Sequence, residues 1–326
     1  MLGKSATRAT ACATFLAIAA AISTAALAGT GQPSPGQMGL QDPVTEVADS
    51  IVSFHNAVSA IIIAIAVFVG LLMAYVMVRF SAKNNPTPSK NTHNTMLEVA
   101  WTVVPILILL AIAVPSFKLL YLQYSYPKPD VTVKATGNAW FWEHEYLDGG
   151  PKVTSNMVTD EDIVSADIGK AEFEKRFGKL EGIDRIKQIY QASTPLWAKT
   201  KQVRQLSVDN EIAVPVGKVV HLLVTSNDVI HSWTIPSFGS KIQAVPGRVT
   251  TTWFRPMKVG VYYGQCSVLC GKAHSGMPIA VRVVPEPAYK EWLVAAKAKD
   301  WKKARGILVA ATESADQPKY AEVAPR

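Results

Sequence analysis

The sequence predicts an N-terminal transmembrane α-helical hairpin followed by an all-β domain of the sandwich or Greek-key barrel kind. Three observations carry that expectation. Two long apolar runs lie within the first 125 residues, short strand-like runs punctuated by Gly and Pro fill most of residues 204–284, and a composition of 49% hydrophobic and 18% charged residues is greasier than that of an average soluble domain. The formal net charge of +8 does not signal nucleic-acid binding. The eleven Lys/Arg of residues 134–204 run alongside the twelve Asp/Glu of residues 130–184, and no basic stripe interleaved with aromatics emerges.

Residues 1–28 carry Lys4 and Arg8, an Ala-rich apolar run over 11–21 and then Ala26-Leu-Ala28, the pattern of a secretory signal peptide with an A-x-A cleavage site. Cys12 lies inside it as a small apolar residue. Residues 29–50 are expected to form an N-terminal arm, with the Pro- and Gly-rich part over 29–39 exposed. Residues 57–78 are then uncharged for 22 positions, and at about 1.5 Å per residue they reach roughly 33 Å, enough for a bilayer core. A second apolar run over 99–114 continues to Tyr121 and Leu122, with Trp101, Tyr121 and Tyr124 where interfacial aromatics sit and with Pro105 and Pro115 expected to kink it. The hairpin is bounded at 51–125. Its connecting loop holds Arg79, Lys83 and Lys90, whereas Asp42, Glu46 and Asp49 precede the first helix. The positive-inside rule therefore puts the loop in the cytoplasm and everything after residue 126 in the periplasm.

The outer domain is bounded at 126–285. Strands are expected at 131–136 and 140–146, and again at 219–225, 231–235, 250–254, 261–263 and 277–284, because these runs are rich in β-branched and aromatic residues between Gly and Pro turns. Residues 149–203 break the style with interspersed charges and helix formers, and read as a solvated, partly helical insertion. Residues 286–326 should hold one amphipathic helix near 289–298 and then a polar, mobile end.

The chemistry concentrates in Cys266-Ser-Val-Leu-Cys270-Gly-Lys-Ala-His274-Ser-Gly-Met277. Two thiols, an imidazole and a thioether in twelve residues are soft ligands, and no carboxylate joins them. That argues against calcium and magnesium, which want oxygen ligands, and points to copper, zinc or an iron–sulfur cluster. A disulfide between two Cys four apart in an exported domain is the plain alternative. His274, Met277 and the distant His231 weigh against it, and the thioether weighs against zinc. The remaining histidines, His55, His93, His144 and His221, read as structural or interfacial.

At these residues the chain resembles subunit II of the haem-copper cytochrome c oxidases, bacterial type. The resemblance covers the hairpin, the aromatic run Gly137-Asn-Ala-Trp-Phe-Trp142, the segment Asp228-Val-Ile-His-Ser-Trp-Thr-Ile-Pro236, the stretch Ala244-Val-Pro-Gly-Arg248, and Tyr262-Tyr-Gly-Gln-Cys266 through Met277. It leaves out the insertion and the tail. It implies a cupredoxin-like Greek-key barrel carrying a dinuclear copper centre, CuA. Cys266 and Cys270 would bridge two copper ions, His231 and His274 would be terminal ligands, and Met277 and the backbone carbonyl of Val268 would be weak ones. Trp140 would be the residue through which electrons arrive from a c-type cytochrome, and Glu98 would stand at the mouth of a proton pathway leading into subunit I. The implied partners are subunit I, the other oxidase subunits, the donor cytochrome and the lipid bilayer, and the implied location is the bacterial inner membrane.

Three departures from the family pattern matter. Val268 stands where a Glu is usual, so a backbone carbonyl is kept but the carboxylate that reaches a magnesium or manganese ion at the border with subunit I is lost. Asn138-Ala139 and Phe141 replace His-Gln and Tyr around Trp140. Residues 206–284 hold three acids (Asp209, Glu211, Asp228) against seven bases, although steering of a basic cytochrome c needs a negative face, which acids in the insertion such as Asp160-Glu-Asp162 could supply. A membrane-tethered copper chaperone could also use two Cys and a distant His, but it would have one anchoring helix. A quinol oxidase subunit would lack the Cys pair, and nitrous-oxide reductase lacks the hairpin. The absence of C-x-x-C-H excludes a fused c-type haem.

Overall fold

The computed structural model describes residues 31–200 and 202–313. The signal peptide expected at 1–28, Cys12 within it and residues 314–326 of the tail lie outside the described residues. The chain divides into two compact units, residues 46–127 and the remainder.

The first unit is a pair of long helices, α1 (Glu46–Arg79) and α2 (Thr95–Gln123). Helix α1 begins eleven residues before the uncharged run at 57–78, because Glu46 and Asp49 in its first turn complement the helix dipole instead of interrupting the helix. Helix α2 is capped by Asn94, whose side chain accepts the N–H groups of Met96 and Leu97 at 3.1 and 3.2 Å. It runs on through Pro105 and Pro115. Both helices are long and apolar enough to cross a membrane, and the apolar windows that qualify them bury nothing.

The second unit is a two-sheet β domain. One sheet has the order β3-β2-β1-β5-β8, formed by Lys152–Ser155, Phe141–Tyr146, Val131–Asn138, Val220–Ser226 and Thr250–Phe254. The other has the order β4-β10-β9, formed by Ile212–Pro215, Pro278–Val284 and Gly260–Gln265. A hairpin, β6 (His231–Ile235) with β7 (Ser240–Ala244), completes it. Every second residue of β1 and β5 is buried, which turns Val133, Ala135, Leu222 and Val224 onto one core shared with Ile212, Tyr262 and Val281 of the other sheet. Parallel pairing of β1 with β5 and of β4 with β10 makes the topology a cupredoxin-like Greek key rather than a meander. Strands β4 and β10 are buried at nearly every position because helices α6 (Glu286–Lys297) and α7 (Trp301–Glu313) contribute Trp292, Ala304 and Leu308 to the same core. At about 1.5–3 kcal/mol per buried large aliphatic side chain, this shared core holds the sheets in place.

Several expectations need correcting. Lys152–Ser155, inside the stretch read as an insertion, is a strand antiparallel to β2. Its four residues after Gly149-Gly-Pro151 are too short to show a period. Helices α3 (Asp160–Ile168), α4 (Lys170–Phe177) and α5 (Gly182–Trp197) follow, with a separate small core of Val164, Phe173, Phe177 and Ile189. The two stems of this excursion are tied together by the Met157–Val208 bridge and by Asp209, which accepts the backbone N–H of Asn156 at 2.8 Å. Residues 301–313, expected to be a mobile end, form α7, since Ala304, Leu308 and Thr312 fall on one buried stripe and Arg282 donates to Thr312 at 2.6 Å. The N-terminal arm is less free than its composition suggests. The Gly31 carbonyl accepts the N–H of Tyr263 on β9 at 2.8 Å, and Val44 exchanges backbone bonds with Ser237 and Met257.

Candidate metal centre

The metal-ligand loop is closed by its own ends. Cys266 follows β9, Met277 precedes β10, and the Cys266 N–H donates to the Met277 carbonyl at 3.2 Å. The two flanking strands pair antiparallel, so the loop starts and finishes on a fixed base. His274 stands on a single 3₁₀ turn within it. His231 opens β6, and it can approach because Gly137 of β1 has no side chain: a Cβ there would fall 2.8 Å from His231 Cδ2.

Around this frame the soft donors converge. Cys266 Sγ and Cys270 Sγ are 3.8 Å apart and both are free thiols. His231 Nδ1 lies 3.9 Å from Cys266 Sγ, and the Val268 carbonyl oxygen lies 3.3 Å from the same sulfur. His274 Nδ1 and Met277 Sδ each lie 3.5 Å from Cys270 Sγ. His231, Cys266, Cys270 and Met277 are buried, and His274 is half-buried. His231 and the two cysteines offer ligand atoms all within 4.8 Å of one another. Desolvation, and then the neighbouring Cys266, push the Cys270 thiol up to about 12. Two adjacent buried sulfurs become thiolates only if a cation compensates them, so the donor set fits a soft metal ion.

Further groups orient the ligands. Asp228 Oδ1 accepts from His231 Nε2 at 2.7 Å, which leaves the Nδ1 lone pair facing sulfur. Burial alone would raise the Asp228 carboxyl, but its bonds with His231 and with the N–H groups of Val229 and Ala139 outweigh that and hold it below its usual value. Trp142 packs edge-on against the His231 ring with centroids 6.0 Å apart. Trp140 is half-buried, and its Nε1–H donates to the Cys270 carbonyl at 3.0 Å. The loop can pass this close because Gly271 adopts φ 115, where a Cβ would sit 3.1 Å from Trp140 Cζ2.

The fold thus gathers His231, Cys266, the Val268 carbonyl, Cys270, His274, Met277 and Trp140 in one place. Glu98 sits in the first turn of α2, where its carbonyl accepts from Thr102 at 2.8 Å. Sequence reasoning did not see Asp228 as the partner of His231, although a carboxylate three residues before a candidate ligand was available as a signal.

Comparison with known proteins agrees with the site. Residues 186–284 match the family model described as cytochrome c oxidase subunit II, periplasmic domain, and residues 33–119 match its transmembrane domain. A probable cytochrome c oxidase subunit 2 of Rickettsia bellii (strain RML369-C) is 40% identical over 263 residues, covering 80% of this chain and 85% of that protein. The cytochrome c oxidase subunit 2 of Cereibacter sphaeroides is 40% identical over 298 residues, covering 88% and 91%. Among solved structures, the periplasmic domain of subunit II of cytochrome oxidase (CoxB) of Bradyrhizobium japonicum aligns at TM-score 0.40 and 40% identity, over 53% of this chain and 97% of that one.

Fold, site and matches define a membrane protein with a copper-binding domain, the electron-transfer part of an oxidoreductase complex. Within that class, the chain belongs to the cytochrome c oxidase subunit II family, and it works with other subunits of that oxidase.

Proposed function

We propose that this chain carries a dinuclear copper centre that takes electrons from a c-type cytochrome and hands them to the haems of subunit I. The observation that supports this most directly is the paired sulfur core, in which Cys266 and Cys270 stand 3.8 Å apart and each has an imidazole of its own. In this reading Cys266 and Cys270 would hold the copper as thiolates, His231 and His274 would add imidazole ligands, and Met277 and the Val268 carbonyl would add weaker ones. Copper held by these residues would supply one-electron transfer.

The chain's own residues hold that carrier still and connect it. Strands β6, β9 and β10 fix the ligands, and Asp228 keeps the His231 ring in the ligating tautomer. Trp140, joined to the loop through the Cys270 carbonyl, is the port at which an electron arrives. Glu98 opens a proton pathway towards subunit I. The charge bias around the hairpin supports a copper domain and both termini on the periplasmic side of a bacterial inner membrane. Val268 offers no carboxylate, so we expect magnesium or manganese at the border with subunit I to be depleted; elemental analysis of the assembled oxidase showing full occupancy would count against that.

The test is metal stoichiometry together with paramagnetic resonance on the isolated full-length chain loaded with copper. Two coppers per chain and a mixed-valence signal spread over both are expected. One copper with a localised signal would overturn the assignment.

A further inference from the structure

Two groups of the candidate centre stand on strands of different sheets. His231 opens β6, which pairs with β7, while Cys266 follows β9, which pairs with β10. The distance between imidazole and sulfur is therefore set by contacts across sheets rather than by a shared ladder. One such contact is backbone on backbone: Gly264 of β9 faces the Thr234 carbonyl of β6, and a Cβ at Gly264 would overlap that oxygen.

Beside this approach, three hydroxyls close a ring. Ser267 Oγ donates to Ser232 Oγ at 3.0 Å, Ser232 Oγ and Thr234 Oγ1 are 3.2 Å apart, and Thr234 Oγ1 and Ser267 Oγ are 2.7 Å apart. Each hydroxyl carries one proton and can also accept, so all three bonds are made at once when each donates to the next. Ser232 and Thr234 are two apart on β6, which puts them on one face of the strand that His231 opens. Ser267 lies between Cys266 and Val268. Ser232 is wholly buried, Thr234 half-buried and Ser267 exposed, so the ring runs from the core to the surface of the metal loop.

We infer that Ser232, Thr234 and Ser267 are positioning residues for the copper centre: their ring holds the Val268 carbonyl beside the Cys266 sulfur and so sets the reduction potential of copper bound there, which rests on reading that carbonyl as a weak ligand. Ser267 is the direct neighbour of both groups, and the Val268 oxygen lies 3.3 Å from Cys266 Sγ. Leu269, the next residue, is 80% exposed, so packing gives this part of the loop little grip and the ring supplies it. Copper potentials are tuned by weak ligands of this kind. A carbonyl oxygen is a harder donor than sulfur and favours the more highly charged, oxidised metal. Freed from the ring, the peptide joining Ser267 and Val268 can turn away, and the oxidised form then loses more than the reduced form.

The test uses the full-length chain in detergent, loaded with copper, with midpoint potential, copper count and paramagnetic spectrum measured on each variant. Thr234→Val keeps the outline of the side chain and breaks two of the three bonds, and Ser267→Ala breaks two at an exposed position that folding does not depend on. Each should keep the native copper count and raise the potential, moving the balance roughly threefold towards the reduced form, the lower part of what one hydrogen bond is worth, or about 28 mV at about 59 mV per tenfold for one electron. Thr234→Ser, which keeps the hydroxyl, should return the native potential. The double variant Thr234→Val with Ser267→Ala should shift little further than either alone, since both open the same ring. An unmoved or lowered potential in the two single variants, a shift that Thr234→Ser shares with Thr234→Val, or copper lost from Ser267→Ala overturns the inference. The native chain separates the two levels. If it holds two coppers with a shared signal while the variants leave the potential in place, the ring alone fails; if it holds one copper with a localised signal, the assignment of the centre fails and takes the inference with it.

Discussion

His231 and His274 face different sulfurs of one cluster, at 3.9 and 3.5 Å, yet they are held in different ways. His231 is wholly buried at the start of a strand, packed on Trp142 and bonded to Asp228. His274 is half-buried on a short turn inside the loop, and among the described residues its ring has no hydrogen-bonding partner other than Cys270. One end of the centre is therefore part of the barrel core, while the other depends on the loop and on whatever metal the loop encloses. A third buried imidazole sharpens the contrast. His144 accepts from Trp233 at 3.2 Å, and burial lowers its pKa to about 3.

Removing the sulfur that joins the two ends should have the largest effect. Cys266→Ser and Cys270→Ser should each weaken copper retention by more than roughly 100-fold, since loss of a supporting residue alone costs about 10–100-fold. Titration against a competing chelator reads this, and retention within tenfold of native would dissolve the idea of a shared core. The two histidines should then differ. His231→Ala should lose both copper and about 2–4 kcal/mol of apo-protein stability, because it empties a filled site in the core, whereas His274→Ala should lose copper with little change in apo stability. Equal destabilisation in urea melts of the metal-free chain would erase the asymmetry.

Asp228→Asn should weaken copper binding by about 10–100-fold without altering the ligand set, with an altered absorption band as the visible sign. Unchanged binding would mean that packing alone orients His231. The last effect, read through pH rather than copper, should come from His144. The unfolded ring takes up a proton near its ordinary value of 6.5, and the folded ring only near about 3. Stability is therefore fully present above about pH 6.5 and falls by about 1.4 kcal/mol per pH unit below it. Urea midpoints followed by tryptophan fluorescence should show that slope in the native chain and a shallower one in His144→Gln; parallel slopes would remove His144 as the cause.

The parts of this protein legible in its sequence are those set by local pattern. Strands β6 and β8 fall at the expected residues 231–235 and 250–254, because bulky β-branched and aromatic residues between turn signals need no tertiary information to be recognised. The soft donors were legible because their chemistry is shared by few metals. What escaped depends on residues distant in the chain. Strand β3 has only four residues and gains its identity from pairing with β2. Strand β4 ends on Pro215, which reads as a turn until β10 covers it. Helix α7 looks like a polar tail until its apolar stripe meets the barrel. The contact between Trp140 and the Cys270 carbonyl spans 130 positions, and no local pattern encodes it.

The backbone bonds of the N-terminal arm carry a consequence for synthesis. Thr45 donates to the carbonyl of Phe238, 193 positions later, and Gly31 waits for Tyr263 on a strand made later still. An arm that leaves the ribosome early finds its partners only after most of the barrel exists, so its seating is a late, long-range closure rather than a nucleus. The described chain thus reaches its first membrane-length helix from a segment whose own place is settled near the end of folding, which makes docking of residues 31–45 a natural marker that the copper domain has been completed.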